Sequence, residues 1–160
     1  MMEEDTGQKA TTTKDDSEPI SDDAKSSAAA AAAQVRRMRV RHPKHVPVVV
    51  QVRESRHDGI RSSAPFILKK SKFMVAGDHD VASFCMLIRK YMDNLHPSTG
   101  LYFFCASPVS GSLSLVQMTL TMGALESRFV VQPPGKDKDA NDRPALVIHL
   151  AGEDTFGSMN

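Results

Sequence analysis

The sequence contains only two cysteines, and neither belongs to a C-x-x-C pair or to a Cys/His spacing that would hold zinc. Cys85 and Cys105 lie inside the apolar runs Phe84–Ile88 and Tyr102–Ala106. That placement reads as two buried thiols in a reducing compartment rather than a disulfide or a nucleophile. No apolar run approaches the roughly 18 residues that a membrane span requires, and no signal peptide is recognisable. The expectation is a soluble, cytoplasmic protein to which any membrane attachment is added later. Also missing are a glycine loop to cradle phosphate, a cluster of metal ligands, and a nucleophile beside a base in recognisable context. These absences argue against an enzyme, a metal and a cofactor.

Large apolar side chains are scarce at one end of the chain. Between Met1 and Ala33 only Ile20 and the starting methionines qualify, while Glu3, Glu4, Asp5, Asp15, Asp16, Glu18, Asp22 and Asp23 face only Lys9, Lys14 and Lys25. Such a segment buries too little to offset about 1–2 kcal/mol of backbone entropy per residue, so residues 1–33 read as a disordered acidic, alanine-rich tail. The run Ala28–Ala33 has the best helix propensity of any residue type and is expected to lengthen the next helix and fray.

The net charge of +1 is unevenly spread: residues 1–33 carry eight acidic against three basic side chains, and residues 34–72 carry eleven basic against two acidic. The basic stretch is either an ordinary solvated face or a surface for a partner, and the acidic tail could fold back on it. A nucleic-acid or acidic-lipid module using Arg36, Arg37, Arg39, Arg41 and Lys44 is one such reading, yet no aromatic-interleaved basic motif supports it.

Beyond the tail the pattern becomes regular. Val35 and Met38 share a helix face, and His42-Pro43 stops that helix. Val46 to Val52 is β-branched and almost continuously apolar, a strand covered on both faces whose Pro47 must lie at its start or on an edge. Residues 53–65 read as a loop, and Phe66 to Val75 as a second strand.

Asp80 is placed to cap a helix over Val81 to Met92, where Val81, Phe84, Cys85, Ile88, Tyr91 and Met92 form one stripe. Leu101 to Ala106 is a third strand, Ser107 to Leu120 a loop, Thr121 to Ser127 a short helix, and Ala145 to Ala151 a last strand. A polar insertion near 132–143 belongs on the surface. The order predicts an α+β fold of the ubiquitin-like β-grasp type, a mixed sheet packed on one main helix, with a ferredoxin-like arrangement as the competitor. The domain would span residues 34–152, followed by a flexible tail at 153–160.

Five stretches resemble the ubiquitin-like autophagy modifiers, the family of GABARAP and its relatives. His42–Gln51 (HPKHVPVVVQ) is similar to that family's Y-P-x-R-V/I-P-V-I-x-E segment, and Lys69–Met92 to its long K-K-K to I-R-K-R stretch. LYFF at Leu101–Phe104, TMGAL at Thr121–Leu125 and ALVIHLAGEDTFG at Ala145–Gly157 follow in the family's order. The resemblance implies that a processing cysteine protease cuts after Gly157, with Phe156 and Ser158 flanking the cut. Activating and carrier enzymes would then hold the glycine carboxylate as a thioester. Lacking Cβ, glycine lets the tail lie in a narrow channel with its carbonyl open to attack.

The same resemblance implies a docking site for W/F/Y-x-x-L/I/V peptides, by strand addition plus two apolar pockets. Met38, Pro47, Lys70, Lys72, Phe73 and Met74 would line the first pocket, and Val75, Phe84, Leu87 and Arg89 the second. The plain alternative is that Phe84 and Leu87 are core, and that Lys70 and Lys72 are solvated edge charges.

Three features depart from the lipid-linked branch: the acidic tail in place of a first helix, Ala145 where the family has phenylalanine, and the insertion. They favour the branch of autophagy-related protein twelve, joined to a lysine of autophagy-related protein five. Against it, that branch ends in Trp-Gly with nothing to trim. Linkage to phosphatidylethanolamine on autophagosomal or pre-autophagosomal membranes is the alternative. Neither branch implies binding to nucleic acid.

Overall fold

In the computed structural model the described residues are 22–53, 55–57, 60–62, 66–131, 135 and 139–154. Helix α1 spans Asp22–Arg41. It begins well before residue 34, so the alanine run lies inside it and the boundary of the acidic tail moves back. Pro43 ends it, as its missing N–H and the restriction it places on His42 require.

Strand β1, His45–Val52, turns Val46, Val48 and Val50 into the main core and sets Pro47 and Val49 on the opposite face, toward α1. The following connection contains a small hairpin, β2 (Ser55–His57) with β3 (Ile60–Ser62), where a plain loop was expected.

The anticipated second strand is two pieces. β4 is Ile67–Leu68 and β5 is Lys72–Ala76. Helix α2 covers Val81–Arg89 and buries Val81, Phe84 and Ile88. The Asp80 carboxylate accepts the Ser83 N–H at 2.7 Å, which satisfies one of the free first-turn donors; hydrogen bonding by the Ser83 side chain first, and by its N–H second, holds the Asp80 pKa below its usual value.

The helix stops short of Met92, because Met92–Asp93 forms strand β6 and pairs with β4. Tyr91, the last residue before it, packs its ring on Phe73 with centroids 5.5 Å apart. Strand β7 is Thr99–Ala106, and β8, Leu113–Leu115, is a short edge strand inside the expected loop. Helix α3, Met122–Phe129, is capped by Thr121, whose hydroxyl accepts the Ala124 N–H at 3.2 Å. A 3-10 turn at Ala140–Asp142 precedes β9, Leu146–Asp154.

The main sheet runs β5-β1-β9-β7-β8. The opening pair β1/β5 is antiparallel, while β9, last in sequence, inserts at the centre, parallel to β1 and antiparallel to β7. This is the α+β β-grasp. Helices α2 and α3 close the core with Phe84, Ile88, Met122 and Leu125 against Val48, Phe103, Ile148 and Leu150, all nearly solvent-free. α1 lies over the outer face beside β1, and the end of α3 meets its basic last turns.

Candidate functional site

Proline at position 47 is tolerated because of where the ladder places it. β9 pairs with β1 only from Val48 onward, and Pro47 faces Met74 across the β1/β5 pair. The Val50 N–H donates to Ser71 O at 2.7 Å and the Gly77 N–H to Lys44 O at 2.9 Å. Antiparallel alternation therefore gives the bonded positions to Phe73 and Val75 and turns the backbone of Lys72 and Met74 toward the open side of β5. β5 is an edge of the main sheet, a ready template for one more strand.

Beside that edge, α1 and the outer sheet face enclose a depression of about 140 Å³. Its walls are Ala31, Gln34, Val35 and Met38 from the helix, Pro47, Val48 and Val49 from β1, Lys72 and Phe73 from β5, and Ala145 at the mouth of β9. Four of the six residues expected in the first pocket, Met38, Pro47, Lys72 and Phe73, are brought together here. Phe73 contributes from the strand itself, since its ring turns into the core and meets Phe84 edge-to-face at 5.6 Å.

Met74 is half-buried on the same face of β5 as Lys72. Lys70 lies outside the depression, its Nζ 5.1 Å above the Phe73 ring and 5.2 Å above that of Tyr91, a cation–π arrangement. Lys69 pairs with Asp93 at 2.8 Å. Exposed Lys70 and Lys72 make this rim positive.

The residues expected in the second pocket part company. Phe84 is 1% exposed and Val75 3%, so both are enclosed core and offer no side-chain surface. Leu87 is half-buried, and Arg89 donates from Nη2 to Thr99 O at 2.8 Å. For Phe84 the plain core alternative is the one the structure takes.

Ala31, Gln34, Val35, Val48 and Val49 belong to the depression and were not foreseen there. The signal was present, since positions 31, 34, 35 and 38 repeat at i, i+3, i+4 and i+7, one stripe of a helix that starts early. Arg39 leaves the expected cationic face altogether. It is 5% exposed and lies 2.6 Å from the Glu126 carboxylate through Nη2. It also donates from Nε to Arg143 O at 3.1 Å and from Nη2 to Pro144 O at 2.8 Å. Arg36 pairs with Asp142 at 3.2 Å, a second tie between α1 and the insertion.

Phe156, Gly157 and Ser158 lie outside the described residues. β9 carries the chain to Asp154, three positions before the glycine.

Comparison with known proteins adds the following. Residues 30–157 match the family model described as "Autophagy protein Atg8 ubiquitin like", a span that ends on Gly157. Autophagy-related protein 8 of Dictyostelium discoideum is 30% identical over 122 residues, covering 76% of this chain and 81% of that protein. Among solved structures, the crystal structure of Trypanosoma brucei ATG8 is similar with a TM-score of 0.54 at 22% identity, over 81% of this chain and 90% of that one. Plasmodium falciparum Atg8, in complex with a P. falciparum Atg3 peptide, is similar with a TM-score of 0.52 at 19% identity, over 77% of this chain and 88% of that one.

Proposed function

The chain belongs to the Atg8 family of ubiquitin-like autophagy proteins, modifiers rather than enzymes, and from that premise we propose that it is conjugated through Gly157 to phosphatidylethanolamine. A cysteine protease hydrolyses the Gly157–Ser158 bond and releases Ser158-Met159-Asn160. The activating enzyme couples the freed Gly157 carboxylate to a nucleoside triphosphate as an acyl-nucleotide with release of pyrophosphate. The thiols of the activating and carrier enzymes then displace the nucleotide and hold the carbonyl as a thioester. The lipid's amine attacks that carbonyl, an amide forms, and the enzyme thiol leaves. Two acyl chains at about 0.8 kcal/mol per buried CH₂ anchor the product on the membrane. The protein thus passes from the cytoplasm to autophagosomal or pre-autophagosomal membranes.

The observation that carries this reading is the family match running through residue 157 and stopping there, with Ser158 following that glycine. It shifts the balance from the protein-linked branch that the sequence departures favoured. A lysine of a protein of the autophagy-related protein five type remains the second reading, supported by the acidic N-terminal segment and by Ala145.

Docking of extended peptides at β5 is part of the same proposal. The open strand edge supplies main-chain hydrogen bonds, the depression takes an aromatic anchor, and Lys70 and Lys72 attract acidic residues flanking it. The complex of the Plasmodium relative with an Atg3 peptide supports a conjugation-enzyme peptide as one ligand class for this chain.

Intact mass of protein recovered from its native cells tests the conjugation. The expected result is loss of Ser158-Met159-Asn160 together with a phospholipase-sensitive lipid adduct, both abolished by Gly157→Ala. A large, phospholipase-resistant shift points to the protein-linked reading. Adducts unchanged in Gly157→Ala overturn both.

A further inference from the structure

The most heavily buried charges in the described structure, Arg39 and Glu126, sit behind the docking depression rather than in it. Their side chains are 5% and 8% exposed. Glu126 Oε1 lies 2.6 Å from the guanidinium, yet the approach is too oblique for an aligned hydrogen bond, and Arg143 Nη1 stands 3.9 Å from Oε2. Two charges withdrawn from water with imperfect hydrogen bonding are a poor source of stability. An apolar pair of similar size commonly serves a core as well or better.

What this pair does that an apolar pair cannot is reach the two carbonyls. Arg39 leaves α1 one residue after Met38, which lines the depression, and its guanidinium binds the carbonyl oxygens of Arg143 and Pro144. The next residue, Ala145, lines the same depression from the start of β9. One side chain therefore links α1 to that part of the wall, and Glu126 of α3 fixes where that side chain points.

We propose that Arg39, oriented by Glu126, is a positioning residue for peptide docking: it sets the separation of α1 from Ala145 and thereby fits the depression to a single aromatic ring. The size agrees, since about 140 Å³ is close to the roughly 150 Å³ of a protein cavity known to admit benzene. Because Ala145 leaves that wall without bulk, the spacing depends on the tie behind it and not on side-chain packing across the depression. This inference rests on the docking reading above.

The test is a cycle between protein and peptide. Two fluorescein-labelled acidic peptides are compared, one with a Phe-x-x-Leu core and one with alanine in place of its phenylalanine. They are titrated into the full chain and into the double variant Arg39→Met/Glu126→Leu. The double variant is expected to fold, with a modest fall in its unfolding temperature because the Arg143 and Pro144 carbonyls lose their donor. It should lose about five- to tenfold in affinity for the phenylalanine peptide and little for the alanine peptide, a coupling of the usual size between groups linked through a shared cavity.

Equal losses for both peptides, or no loss for either, overturn the positioning role while leaving docking intact. A parent chain that binds neither peptide overturns docking and this inference together. Should the double variant fail to fold, Glu126→Gln, which keeps the shape and removes the charge, is read with the same two peptides and the same criteria.

Discussion

At the scale of single residues, burial decides what chemistry the two thiols can do. Cys105 has no exposed surface and its pKa is pushed up to about 12 by desolvation, so at neutral pH almost no thiolate exists to react. Cys85 is half-buried, and desolvation raises its pKa as well, with the nearby Arg89 guanidinium opposing in part. A thiolate-dependent reagent such as a disulfide dye, applied at pH 8, is therefore expected to modify Cys85 slowly and Cys105 only after denaturant is added. Raising the pH past 9 should speed Cys85 well before Cys105. Rapid labelling of Cys105 in the folded protein would contradict the packing described for β7. The same physics explains Phe84: an apolar residue on a helix stripe looks identical in sequence whether it faces a core or lines a groove, and only the neighbouring Phe73 and Phe103 rings settle which it is.

Between elements, two glycines meet backbone to backbone. Gly123 donates to Gly77 O at 2.8 Å, and Gly77 in turn donates to Lys44 O at 2.9 Å, which ties the start of α3 to the turn after β5 and to the approach to β1. A Cβ on Gly123 would come within 3.1 Å of Gly77 O, a backbone atom that can yield only by shifting the turn. Gly123→Ala is therefore expected to lower stability by about 1 kcal/mol, despite alanine's better helix propensity, and a urea midpoint at or above the parent's would refute this contact. Elements with strong patterns were legible in the sequence: the valines of β1, the α2 stripe, and the cap Asp80. β8 was not, because the alternation Leu113-Ser114-Leu115 is only three residues long and Leu115 lies exposed at the sheet edge, too short a run to stand out from a loop. The end of α2 was misjudged because Tyr91 and Met92 continue its apolar spacing while packing on Phe73 and pairing with β4. In the depression, Met38, Pro47, Lys72 and Phe73 were foreseen through resemblance. Arg39 was not, since its partners Glu126, Arg143 and Pro144 lie far along the chain and nothing local marks them.

For the whole molecule, the strand that joins the two halves of the sheet is the last to be made. β9 is the common neighbour of β1 and β7, and without it their buried faces share no backbone ladder. A chain ending at Pro144 is thus expected to show no cooperative thermal transition, whereas one ending at Gly157 should melt within about 2 °C of the full chain. Loss of stability in the Gly157-ended chain would mean that the trimmed residues take part in the fold. The position of β9 has a further consequence for how the modifier is used. From Asp154, held against Thr99 in the sheet, only three residues lead to Gly157, and three residues can span no more than about 10 Å. Under the proposed conjugation, whatever accepted the glycine would be leashed tightly to one end of the body, and a lipid so attached would hold the domain flush with the bilayer at a fixed edge instead of letting it swing outward on a long tether.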